Sequence, residues 1–299
     1  MNKHLIIDCS SLLHPIKYTT KSIDECDLIP QRFLQKILDL SFRFRTKNLI
    51  FTWEGKGVGY RKELYPEYKE NRNKDYTDDE KEFNTECYKQ FEICRSLLEC
   101  IGFKNSFSQP KVEADDIIAK IPKQEECIFH DFVVVSSDGD LLQTLANENV
   151  VVYNPSKDKV ITKKKFIEEK GIDPKDFWKV KVLAGDTSDN IKGAKGVGEG
   201  SAIKYLNGTL KESSVYYQRI INHPKELRSR DSKLVKIPIP QTKPIELLND
   251  EATMEKFVAY CYENGFDTFL NETYDSWERF FGKRETAKQR REKQRNDTT

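Results

Sequence analysis

The chain has 299 residues, 37% hydrophobic and 33% charged, with a net charge of +1. That length allows about two domains and a core that needs neither disulfides nor structural metal, and the composition is not that of a disordered chain. No apolar run approaches the ~20 residues of a membrane span, no charged-then-apolar leader is visible, and near-neutral charge gives no bulk sign of a nucleic-acid partner. Seven cysteines, an odd number without C-x-x-C spacing, sit at apolar periodic positions. They read as reduced core residues of an intracellular protein, without a zinc site.

The first predicted strand is Leu5-Ile6-Ile7-Asp8, followed by helical spacing at Phe33, Ile37, Leu40 and Phe44. Leu49-Ile50-Phe51-Thr52-Trp53-Glu54 is the second strand, and Phe83, Cys87, Phe91, Cys94, Leu98 and Ile101 mark a second helix. Phe132-Val133-Val134-Val135 and Val150-Val151-Val152-Tyr153 complete the strand set. Continuous apolar strands suit a parallel sheet buried on both faces, and their alternation with helices predicts a doubly wound α/β domain over residues 1–172. From Asp173 the pattern changes. Asp173-Pro174-Lys175-Asp176 is a helix start, Phe177, Val180 and Ala184 form a buried stripe, and Gly185 ends it. A glycine-rich turn (193–200) and short helical patterns follow, so 173–282 reads as mainly helical, with Ile237-Pro238-Ile239-Pro240 held extended. Residues 283–299 read as a basic tail.

In a parallel sheet, ligands bind at the carboxyl ends of strands. Asp8, Glu54 and Asp138 lie at such ends, Asp140 opens the next helix, Glu113, Asp115 and Asp116 open another, and Asp186 and Asp189 follow Gly185. Singly, such acids cap helices, worth about 0.5–2 kcal/mol each. Nine at one rim repel one another and raise their own pKa values, a conflict that hard divalent ions resolve. An all-oxygen donor set without His or Cys favours Mg²⁺ or Mn²⁺ over Zn²⁺. Two such ions activate water and steady the leaving oxygen in phosphodiester cleavage.

Five segments in order carry a further signal: Ile6-Ile7-Asp8; Pro66-Glu67-Tyr68-Lys69-Glu70-Asn71-Arg72; Val112-Glu113-Ala114-Asp115-Asp116; Ser136-Ser137-Asp138-Gly139-Asp140; and Gly185-Asp186-Thr187-Ser188-Asp189-Asn190. Together they resemble the phage and bacterial 5′ nucleases, which include the 5′-exonuclease domain of bacterial DNA polymerase I and phage flap endonucleases. In type the chain is most similar to the ribonuclease H of T-even phages. The resemblance runs from Leu5 to about Lys204. It implies a PIN-like 5′ nuclease domain with a helical arch (about 60–100), followed by a helical domain carrying a helix–hairpin–helix-like DNA-binding element. It also implies a two-metal enzyme that trims duplex ends 5′ to 3′, cuts 5′ flaps and removes RNA primers. Asp8, Glu113, Asp115 and Asp138 are then expected on the tighter ion, and Asp186 and Asp189 on the second. Asp116 and Asp140 match acidic positions of the family. Glu54 departs from the family, which usually has Asp there.

The same resemblance places Arg61, Lys69 and Arg72 at the arch base. Lys69 and Arg72, three apart, are expected to share a helix face and steady charge on the scissile phosphate, with Tyr68 stacking on a base. A solvated helix face is the other reading of this run. Lys195, Gly196, Val197, Gly198, Gly200, Ser201 and Lys204 are expected to hold duplex phosphates, with K⁺ at the hairpin, although a helix–turn–helix packing joint equally fits the glycine pattern taken alone. Trp277, Phe280 and Phe281, beside the basic tail, suggest docking to a single-stranded-DNA-binding protein or sliding clamp; a solubilising end is the alternative. The expected protein is a monomeric nuclease of branched, flapped or RNA-primed DNA, cytoplasmic, in a phage host if phage-encoded. A junction-binding protein with little turnover is the competing function.

Overall fold

The structure is a computed structural model that describes residues 2–72 and 75–282. Six strands form one sheet: β1 (Asn2–Asp8), β2 (Asn48–Thr52), β3 (Ser106–Phe107), β4 (His130–Val135), β5 (Val150–Asn154) and β6 (Lys159–Ile161). Their order is β3-β2-β1-β4-β5-β6, parallel throughout except for the β5–β6 hairpin. The expected parallel α/β architecture is therefore present. β3 and β6 were not expected, because two- and three-residue edge strands carry no apolar run of their own.

Alternate residues of the central strands enter two different cores, which explains their unbroken apolar character. Leu5, Ile7, Leu49, Phe51, Val133 and Val135 face one layer, while Ile6, Ile50, Phe132, Val134, Val150 and Val152 face the other. The first layer is built from helices Cys9–Thr19, Ile29–Phe44 and Asp78–Ile101. The second includes helices Ala114–Lys120, Phe177–Ala184 and Glu199–Leu206. Strand order reverses between β1 and β4, opening a crevice at their carboxyl ends.

The region expected to form the arch, about 60–100, begins with helix Tyr60–Leu64 and a 3₁₀ turn at Glu70–Arg72. Its second half is the 24-residue helix Asp78–Ile101, started by a reciprocal capping box between Thr77 and Glu80. Further along, Asp173 accepts a bond from the Lys175 amide ahead of the helix Phe177–Ala184. Gly185 stops that helix at φ 81°. A Cβ there would lie 2.6 Å from the Ile191 carbonyl oxygen, and one on Gly193 would lie 2.2 Å from the Gly185 amide nitrogen. These two glycines let the chain fold back on itself at the acidic turn.

The boundary expected at 172/173 does not separate two cores. Phe177, Val180, Leu183, Ala194, Ala202, Ile220 and Ile245 share one apolar cluster with the sheet. The final helices, Met254–Asn264, Asp267–Asn271 and Tyr274–Phe281, return to the opposite layer. There Trp277 is fully buried and stacks on Phe257 at 4.3 Å, and Phe280 is 3% exposed. Trp277 and Phe280 are therefore core residues and are not available for docking a replication partner, which corrects that expectation. The basic tail, 283–299, lies outside the described residues. All seven cysteines are free and six are buried. Among the described residues no helix is long and apolar enough to cross a membrane.

Trp277→Ala is expected to destabilise the protein by about 3–5 kcal/mol, the usual cost of deleting a buried aromatic. Equilibrium urea unfolding measures this; a loss under about 1 kcal/mol would show that the C-terminal helices are not part of the main core.

Candidate active site

The β1/β4 crevice collects the carboxylates. Asp8 ends β1, is 5% exposed, caps the following helix through the Ser11 amide at 3.1 Å, and accepts from Ser136 Oγ at 2.7 Å. Ser136 follows β4, and its Oγ also accepts from the Asp138 amide at 3.0 Å. Asp138 in turn accepts from the Asp140 amide at 2.8 Å. Across the crevice, Glu113 and Asp115 stand at the start of helix Ala114–Lys120, whose Ala114 amide donates to Glu54 at 3.3 Å. Asp186 and Asp189 sit in a tight turn closed by paired backbone bonds between Asp186 and Ile191. Carboxylate oxygens of Asp140, Asp186 and Asp189 come within 4.8 Å of one another.

The electrostatics follow from this crowding. Asp8 is pushed up to about 6, first by burial and then by the Asp138 charge, against the hydrogen bond from Ser136. Glu54 rises to about 7 through loss of water and the neighbouring Glu113 and Asp8 charges. Asp115 is raised well above the usual carboxylate range by burial and by Asp138, Asp8 and Glu54. Asp140 is pushed up to about 6 by burial, although Lys181 opposes the rise. Glu113 and Asp186 behave oppositely: burial would raise both, yet the ammonium groups of Lys69 and Lys181, respectively, hold them low.

Three basic side chains reach into the rim. Lys69 Nζ pairs with Glu113 at 2.8 Å, and Arg72 pairs with Asp189 at 2.8 Å. Lys69 does not sit on a helix face shared with Arg72, as its spacing suggested. It adopts a left-handed backbone at φ 57°, a conformation costing about 1–3 kcal/mol in a non-glycine residue, and its amide donates to the Asp189 carbonyl. The third, Lys181, contacts Asp140 and lies 2.6 Å from Asp186. Nothing in the sequence marks it, because a lysine in the last turn of a helix ordinarily only complements the helix dipole.

Three expected site residues are placed differently. Asp116 is fully buried, and both its oxygens accept from the Arg61 guanidinium, at 2.6 and 2.9 Å. It also accepts from the Ile239 amide, while Arg61 donates to the Leu234 carbonyl. Asp116 is therefore not available as a metal ligand, and Arg61, 4% exposed, does not face nucleic acid. Burial opposes charge on Arg61, but Asp116 holds the guanidinium firmly protonated. Tyr68, 3% exposed, is not a stacking platform; its hydroxyl donates to Asp189 at 3.0 Å and lies 3.3 Å from Glu113. Burial and those two charges keep the phenol protonated.

The glycine-rich turn joins helices Phe177–Ala184 and Glu199–Leu206 beside the acidic turn. Lys195, Gly196, Gly198, Gly200 and Lys204 are exposed and Ser201 is half-buried, whereas Val197 points into the core at 4% exposure. Val197 therefore shapes the turn and does not itself present a side chain to a ligand. Arg219 donates to the Lys195 carbonyl from the neighbouring helix.

The donors around the crevice are all carboxylates, which fits hard divalent ions. Residues 3–171 match the family model of the 5′-3′ exonuclease N-terminal resolvase-like domain. The chain belongs to the 5′-3′ exonuclease family. A 5′-3′ exonuclease of Buchnera aphidicola subsp. Acyrthosiphon pisum is 26% identical over 291 residues, covering 90% of this chain and 96% of that protein. The Bacillus subtilis 5′-3′ exonuclease is 31% identical over 179 residues, covering 58% and 56%. Among solved structures, phage T5 5′-exonuclease with bound divalent ions superposes with a TM-score of 0.70 at 21% identity, covering 94% of this chain and 97% of that one. The catalytic core of Rad2 in complex with DNA substrate gives 0.56 at 13% identity, covering 94% and 91%. At these identities the structural likenesses establish the shared fold.

Arg61→Ala is expected to cost about 3–5 kcal/mol in urea unfolding, because Asp116 would be left buried without its partner. Replacing both residues by leucine should return much of that loss. A single mutant within about 1 kcal/mol of wild type would contradict the structural assignment of the pair.

Proposed function

We propose that the protein is a structure-specific 5′ nuclease that trims 5′ ends and cuts 5′ flaps of branched or RNA-primed duplex DNA, using Mg²⁺, with Mn²⁺ able to replace it. One observation carries the reading: eight carboxylates converge on the β1/β4 crevice with Lys69 and Arg72 set against them. Asp8, Glu54, Glu113, Asp115 and Asp138 would hold one ion, and Asp140, Asp186 and Asp189 the other. Bound divalent ions supply an activated water and charge compensation at the leaving oxygen.

The protein's own groups do the rest. The bonds from Ser136 and the Ser11 amide fix the Asp8 carboxylate, so its geometry is set before substrate arrives. Lys69 and Arg72 are held near the crevice by Glu113 and Asp189, and exchange those partners for phosphoryl oxygens as the acids become neutralised. The hairpin's exposed Lys195, Gly196, Gly198, Gly200, Ser201 and Lys204 grip the duplex backbone. Contacts of this kind read shape and charge, so selectivity follows structure and not base sequence. Primer removal during replication is the role this selectivity serves.

A 5′-labelled flapped duplex, incubated with Mg²⁺ or with EDTA, tests the proposal. Product is expected only with Mg²⁺, its length separating flap release from stepwise trimming. Asp138→Asn should lower cleavage by about 10³-fold or more, roughly 4 kcal/mol of barrier, while binding in Ca²⁺ is kept. Lys69→Ala should reduce turnover far more than binding. Tight junction binding without product would replace the nuclease by a binding protein.

A further inference from the structure

The two halves of the carboxylate rim are balanced unequally. Among Asp8, Glu54, Glu113, Asp115 and Asp138, the ion pairs fall on one acid, Glu113, which meets Lys69 at 2.8 Å and Arg61 at 3.6 Å. Around Asp140, Asp186 and Asp189, two cations are already in place: Lys181 bridges Asp140 and Asp186, and Arg72 pairs with Asp189. Lys181 and its two partners are largely sequestered, with side-chain exposures of 17%, 17% and 12%. The lysine also lines a cavity of about 300 Å³ bounded by Asp186, Thr187, Gly198 and Glu199. That cavity joins the acidic turn to the hairpin expected to carry duplex phosphates.

We propose that Lys181 is the resident counter-cation of the second metal position: its ammonium must leave Asp140 and Asp186 before a divalent ion binds there, and a duplex phosphate entering the adjoining cavity draws it away. The inference rests on the two-metal reading above and adds an order to it. An ammonium and a divalent ion cannot both occupy the space between Asp140 and Asp186, so they compete directly. A phosphate beside Gly198 offers Lys181 a new anion on a long, flexible side chain. At the first metal position Lys69 pairs with one ligand, Glu113, and bridges no two of them, so that position fills without DNA, whereas the second fills together with substrate. Lys181 so acts as a positioning residue that ties assembly of the site to the presence of duplex.

Mn²⁺ titration of EDTA-treated protein, followed by the electron paramagnetic resonance of free Mn²⁺, tests this without reference to turnover. Wild type is expected to bind one ion tightly and a second weakly. Lys181→Met is expected to bind the second about tenfold or more tighter in the absence of DNA. A flapped duplex with non-hydrolysable linkages at the junction, corrected for ions bound by the duplex alone, should tighten the second ion in wild type and leave Lys181→Met unchanged. Lys181→Gln supplies the same comparison should the methionine variant fail to fold without metal. If the variants bind both ions as wild type does, while wild type still binds Mn²⁺ and cleaves, Lys181 is not the competing cation. If wild type itself binds no Mn²⁺, the metal-dependent reading falls instead.

Discussion

Mutual repulsion among carboxylates is the constraint around which this molecule is arranged. Asp8 ends one strand and Asp138 follows its parallel neighbour, Glu113 and Asp115 come from a helix start, and Asp186 and Asp189 from a turn closed by its own backbone bonds. Bringing them together has a cost that appears in two forms. Some acids are pushed towards protonation, as Asp8, Glu54, Asp115 and Asp140 are. Others are held ionised by Lys69 or Lys181. The scaffold that tolerates this is rigid: a sheet buried on both faces, two glycines that allow close backbone approach at 185 and 193, and the sequestered Arg61–Asp116 pair fastening the arch base to residues 234–239.

Much of this was legible in the sequence because it is local. Apolar runs ending in acids mark parallel strands with acidic carboxyl ends, and Gly185 ahead of two acids marks the acidic turn. What was not legible depends on partners distant in sequence. Asp116 looks like Asp115 in a list of acids, but adjacent residues on a helix point about 100° apart, and only the fold shows that Asp116 meets Arg61, 55 positions earlier. Tyr68 reads as a stacking residue until its hydroxyl is found on Asp189. Trp277 reads as a docking residue because it stands next to the basic tail, yet it completes a core with Phe257 and the helices Ile29–Phe44 and Asp78–Ile101. Lys181 carried no signal beyond a helix end.

The same charge pattern orders the proposed chemistry. Each basic side chain at the rim has a carboxylate partner to leave and a phosphate to reach, so substrate binding, release of the acids and metal loading are linked steps. Lys69 shows the tension most directly: its backbone is left-handed, its amide donates to the Asp189 carbonyl and its ammonium is bound to Glu113.

The sign of the pH dependence follows from the raised groups. Ordinary Asp and Glu titrate near about 3.9 and 4.3, whereas Asp8 and Asp140 are pushed to about 6 and Glu54 to about 7. Between about pH 4 and 7 the folded protein thus binds more protons than the unfolded chain, and these groups lower metal-free stability as pH rises through that window. On the proposed metal binding, divalent ions would displace those protons and relieve the repulsion that replaces them. The most direct measurement is therefore the melting temperature of EDTA-treated protein with and without saturating Mg²⁺, at pH 5.5 and pH 7.5. The account predicts stabilisation at both, larger at pH 7.5. No stabilisation, or a shift as large at pH 5.5 as at pH 7.5, would contradict it.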